Sequence, residues 1–95
     1  MKGYVVCVYK NITNEQKLKE YAVKARAAVE KFGGKFLVRG GRTTSNEGEK
    51  SPRTVVIEFS SYNEANAFYK SKEYQNAHSI LKGYANRQHQ TIEGA

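Results

Sequence analysis

The stretch that decides the fold runs from Phe36 to Gln75. It reads FLVRGG over 36–41, then a polar loop, then RTVVIEFSSYNEANAFYKSKEYQ over 53–75. Phe36 to Arg39 is dense in β-formers and stops at Gly40-Gly41, a turn signal. Arg53 to Phe59 is a second strand of the same kind. Ser61 followed by Glu64 forms a capping box that opens a helix with Ala65, Phe68 and Tyr69 inward. Ser71 caps a further short helix that turns Tyr74, Ala77 and Leu81 inward. The segment 43–52 (TTSNEGEKSP) holds the only proline and reads as an exposed connection.

Working outward, Tyr4 to Lys10 (YVVCVYK) is a first strand. Thr13 with Gln16 three residues on predicts the cap of a long helix. Leu18, Tyr21, Ala22, Ala25, Ala28, Val29 and Phe32 then recur at spacings of three and four and form one apolar stripe. Gly33-Gly34 closes that helix, because glycine accepts the left-handed backbone that helix ends favour. Lys35 to Arg39 is the second strand, and Arg87 to Ile92 is a polar fourth. The order βαββαβ predicts one α+β domain over residues 1–95. Its architecture is ferredoxin-like, a four-stranded antiparallel sheet with helices on one face.

Strand parity carries a further expectation. Val5, Cys7 and Tyr9 oppose Val6 and Val8, and Val55, Ile57 and Phe59 oppose Val56. Both faces of the sheet therefore bear apolar side chains, while the helices cover one. A second copy packed on the open face, through Val6, Val8, Leu37 and Val56, is the expected cover. By the same parity Arg39 and Glu58 fall on the open side. They are expected near each other and near the mouth of the main pocket.

Composition bounds the chemistry. Ninety-five residues make one small domain that buries roughly 60–65% of its unfolded surface, which favours help from a partner subunit. No apolar run approaches the roughly 20 residues of a membrane span. Cys7 is the only cysteine, which excludes an internal disulfide and a thiolate metal cluster and fits a reducing, cytoplasmic setting. The net charge is +7, yet the sixteen lysines and arginines are scattered with no two adjacent, as on a solvated basic surface. The chain has no P-loop, GxGxxG, HExxH or GxSxG pattern. His78 and His89 lack the spacing of a metal pair and read as surface or hydrogen-bonded histidines. No metal or cofactor is expected.

An RNA-recognition domain shares this strand order, and VYKNIT (8–13) faintly echoes its first strand motif. Base stacking needs aromatics on the open face, where the third strand instead presents Val56 and Glu58. Nucleic-acid binding is therefore the lesser alternative. The chain resembles a bacterial family, domain of unknown function 1330, within the dimeric α+β barrel superfamily. The likeness rests on the YVV strand, FGGKFLVRGG (32–41), RTVVIEF (53–59), FYKSKEYQ (68–75) and the closing IEG (92–94). Phe68 and Lys72 stand where the family usually has tryptophan and proline, and Lys82 lies near the place of a usual arginine. The resemblance implies a homodimer with sheets packed face to face and assigns no activity. The wider superfamily includes enzymes that use the cleft between sheet and helices. A haem would need His78 as axial ligand, and nothing else in the sequence supports that.

Two functional expectations follow. One is a dimer that binds or transforms a small organic molecule, an anion being one option, in the cleft between sheet and helices, with Arg39, Glu58, Tyr69, Tyr74 and His78 as the candidate ligand-binding residues. The other is a structural or regulatory dimer without ligand chemistry.

Overall fold

A computed structural model describes residues 1–95. The elements run β1 (Gly3–Ile12), α1 (Glu15–Lys31), β2 (Lys35–Arg39), β3 (Thr54–Phe59), α2 (Tyr62–Lys70), α3 (Lys72–Leu81) and β4 (Ala85–Glu93). The sheet is antiparallel in the order β2-β3-β1-β4, the ferredoxin-like arrangement. No helix is long and apolar enough to cross a membrane.

The helix ends follow local chemistry, with one difference from the sequence reading. The side chain of Asn14, not Thr13, caps α1 by accepting from Lys17 N at 3.0 Å. Thr13 instead donates to the carbonyl of Tyr84 at 3.0 Å and ties the end of β1 to the turn before β4. Ser61 caps α2 as expected. Ser71 serves two helices. Its hydroxyl donates to Phe68 O at 2.7 Å, the last turn of α2, and accepts from Tyr74 N at 3.1 Å, the first of α3. One serine thus sets the break that aims Tyr74 inward.

A single core lies between the sheet and the helices. Val5, Cys7, Tyr9, Ile57 and Phe59 from the sheet meet Leu18, Tyr21, Ala25, Ala28 and Val29 of α1, with Ala65, Phe68, Tyr74, Ala77 and Leu81 of α2 and α3. Phe59, Phe68 and Tyr74 form an aromatic run with centroids 5.0 and 4.7 Å apart. The other sheet face has no cover. Val8, Leu37, Val38 and Ile92 remain 38%, 46%, 41% and 51% exposed.

The strand parity breaks in β2. Phe36 pairs with Ile57, but Val38 pairs with Val56 and Arg39 with Val55, so Leu37 is an extra residue with no opposite number. This is a β-bulge, and it turns everything beyond it to the other face. Val38 joins Val56 on the open side, and Arg39 joins Val55 beneath the helices. The expected meeting of Arg39 and Glu58 on one face does not occur. Glu58 stays on the open side, where it accepts from the Tyr4 hydroxyl at 3.3 Å and pairs with Lys2 at 3.8 Å.

Candidate functional site

The bulge completes a polar end to the helix-facing side of the sheet. The register places Arg39, Val55, Cys7 and His89 in one row across the four strands. In the next row Tyr9 stands beside Arg87 of β4 on one side. On the other, Tyr9 N donates to the carbonyl of Arg53, just before β3, at 2.9 Å. Tyr21 of α1 and Tyr74 of α3 descend onto these rows.

Arg87 is the hub. Its Nη1 donates to the hydroxyls of Tyr21 at 2.9 Å and Tyr9 at 3.2 Å and approaches Cys7 Sγ at 3.6 Å. Its Nη2 donates to the Tyr74 hydroxyl at 2.6 Å. The Tyr21 and Tyr74 hydroxyls lie 2.9 Å apart, and His89 Nε2 lies 3.4 Å from Tyr74. The guanidinium also lies 4.9 Å from the centroid of the Tyr21 ring and 5.4 Å from that of Tyr9. Every partner is electrically neutral at pH 7. The ion pairs of the molecule, Lys2–Glu58, Arg26–Glu30 and Lys31–Glu73, lie elsewhere, so no carboxylate offsets Arg87.

Charge and burial set the protonation states. Burial alone would lower Arg87, but the phenols and thiol around it ionise first and hold it above its ordinary value. It is a permanent cation. Burial pushes Tyr74 well above 10 and Tyr9 up to about 12, with Arg87 opposing in both cases. Burial raises the Cys7 thiol, and the nearby Arg87 and Arg53 charges pull the other way. Burial, then Arg87 and then His78, hold His89 down to about 3, so its imidazole is neutral. The site therefore joins a fixed positive charge and phenolic O–H donors to one neutral imidazole. Such a set can bind a carboxylate or polarise a carbonyl, with the imidazole as a neutral hydrogen-bonding group.

These groups line a narrow cleft between sheet and helices, whose floor is Val5, Cys7, Val55 and Ile57 and whose rim carries Phe36, Arg39 and Arg53. It encloses about 460 Å³ with its open mouth included, of which about 30 Å³ admits the centre of a water molecule. Arg87 and His89 also face a second, more open and polar cleft, bordered by Tyr69, His78, Lys82 and Asn86.

The structure brings four of the five sequence candidates to these clefts. Tyr74 is the buried centre of the cluster. Tyr69 packs on Tyr74 and on His89, with centroids 5.3 and 4.9 Å apart. His78 stacks on Tyr74 at an interplanar angle of 9°. Arg39 lines the inner cleft, its guanidinium 4.5 Å from the centroid of the Phe36 ring. Glu58 is on the opposite face of the sheet. Arg87, Tyr21 and Arg53 are absent from the sequence candidates. A signal for Arg87 exists in β4, where Ala85, Arg87, His89 and Thr91 share a parity and are all partly buried, while Asn86, Gln88, Gln90 and Ile92 are exposed.

The model of a family described as "Domain of unknown function (DUF1330)" matches residues 2–95. No curated protein sequence matches the chain. Among solved structures, a protein of unknown function from Rhodopseudomonas palustris superposes with a TM-score of 0.77 at 11% identity, over 99% of this chain and 82% of that one. A dimeric ferredoxin-like protein of unknown function from Jannaschia sp. CCS1 gives 0.69 at 13% identity, over 99% and 100%. SnoaB, a cofactor-independent oxygenase from Streptomyces nogalater, gives 0.58 at 6% identity, over 99% and 91%. At these identities the likeness is one of fold.

Proposed function

The chain belongs to the DUF1330 family, and from that premise we propose that it is a homodimer that binds a small organic anion in the cleft between sheet and helices. One observation carries the binding reading. Arg87 is a partly buried cation whose hydrogen-bond partners are all neutral and which has no carboxylate partner, on the lining of an apolar cleft. Burying a charge without a counter-charge is costly, so a site that keeps one is suited to a ligand that brings the other. Tyr21 and Tyr74 orient the guanidinium. His89 stands beside Tyr74 as a neutral hydrogen-bonding partner.

The uncovered sheet face supports the homodimer. It presents Val6, Val8, Leu37, Val38, Val56 and Ile92 as an aliphatic patch with Tyr4 and Glu58 at one end. Aliphatic side chains suit a second copy better than stacked bases. The structural relative from Jannaschia is itself described as dimeric. The lone cysteine fits a reducing compartment such as the cytoplasm.

The narrowness of the cleft favours a second reading, a structural dimer whose cleft stays closed on its own side chains. Calorimetric titration with hexanoate, benzoate and the matching neutral amides separates the two. A binding site takes the carboxylates and not the amides, and Arg87→Met abolishes the binding while the protein stays folded. That variant is expected to be at least as resistant to urea as the wild type, because it removes an uncompensated charge. No heat and no thermal shift with any carboxylate at millimolar concentration would leave the structural dimer as the reading.

A further inference from the structure

The cleft has a second positive end. Arg53 stands across Tyr9 from Arg87, two strands away, or about 10 Å between backbones at the interstrand spacing of about 4.8 Å. Its Nε is sealed from solvent and has no acceptor. Buried donors in folded proteins are almost always paired, so an arginine that lines the cleft with one donor unpaired has capacity for a further acceptor. Arg53 is also held in place. A methyl group at Gly40 would come within 2.9 Å of its Nη1, so the glycine turn after β2 lies directly against the guanidinium. Arg39 lines the same end, brought there by the bulge at Leu37. Neither arginine has a carboxylate partner.

We propose that the cleft is a two-pole site for a small organic dianion, with one acidic group held by Arg87 and the other by Arg53 and Arg39. The proposal rests on the reading of the cleft as an anion site and adds the class of ligand. Val55 and Cys7 form an apolar floor in the row next to both poles, with Val5 and Ile57 in the row beyond, which calls for a hydrocarbon body between the charged ends. The narrow bore calls for a thin one, such as an unbranched chain. A bulky polyanion meets neither condition. The two poles are guanidiniums, whose planar forks hold carboxylates through paired N–H donors.

The test uses a length series of α,ω-dicarboxylates from succinate to suberate against monocarboxylates of equal chain length, titrated into the whole protein. Dicarboxylates are expected to bind at least 10-fold tighter than their monocarboxylate counterparts, with an optimum at one chain length set by the pole separation. The monomethyl ester of the best dicarboxylate keeps the body and loses one charge, so its affinity is expected to fall to the monocarboxylate level. Arg53→Met is expected to erase the preference and leave monocarboxylate binding intact, and Arg39→Met to reduce it. The ester comparison needs no variant and stands even if Arg53→Met does not fold. Monocarboxylates that bind through Arg87 with no gain from a second carboxylate at any length would overturn the second pole alone. Failure of every carboxylate to bind would overturn the anion site itself.

Discussion

The side chain with the sharpest measurable consequence is His89. Arg87, His78, Tyr74 and Tyr69 surround its ring. Its folded value of about 3 lies far below the ordinary 6.5, chiefly because burial disfavours the imidazolium and then because Arg87 and His78 repel it. Between those values the unfolded chain holds the proton and the folded chain does not. Stability is therefore complete above about 6.5 and declines as pH falls toward 3. Burial, Arg87 and Lys82 lower His78 as well, so its contribution has the same sign. Urea midpoints measured from pH 7 to pH 4 at fixed protein concentration should show this acid limb, and His89→Gln should flatten it. Parallel profiles for the two proteins would show that folding leaves the proton affinity of His89 unchanged.

At the scale of elements, β1 and α2 meet at a contact that allows no side chain. A Cβ on Gly3 would lie 2.3 Å from the backbone oxygen of Ser61, the residue that caps α2. Backbone cannot yield as a flexible side chain does, so Gly3→Ala must shift the strand or the helix start. A loss of about 2–3 kcal/mol, read from the urea midpoint, is expected; a loss below about 0.5 kcal/mol would mean that the two elements move apart easily. The same scale shows what the sequence makes legible. Element order, the Ser61 and Ser71 caps and the apolar stripe of α1 depend on neighbours a few residues apart, so they can be read along the chain. The place of Arg39 cannot. It depends on how β2 pairs with β3 across a long loop, and a bulge leaves no mark in the alternation of Phe36, Leu37 and Val38. Arg87 is hidden for a related reason. Tyr9, Tyr21 and Tyr74 each read as core from their own element, and their convergence on one guanidinium exists only after β1, α1, α3 and β4 have packed.

For the whole molecule, the proposed anion site and the proposed dimer contact lie on opposite faces of the sheet. Val56→Lys places a charge in the middle of the open face, directly opposite Val6 and Val38. It should weaken dimerisation by at least about 100-fold, equivalent to about 2.7 kcal/mol, as read by sedimentation. Carboxylate binding on the far face should change little, and a wild type that is monomeric at micromolar concentration would remove the dimer. The bulge at Leu37 links the two faces in another way. Deleting Leu37 would leave Phe36 opposite Ile57, Val38 opposite Val56 and Arg39 opposite Val55, a regular strand that still sends the arginine into the cleft. Pairing Leu37 itself with Val56 would instead keep every residue and carry Arg39 to the open face, so a slip of one residue between β2 and β3 exchanges what the two faces carry.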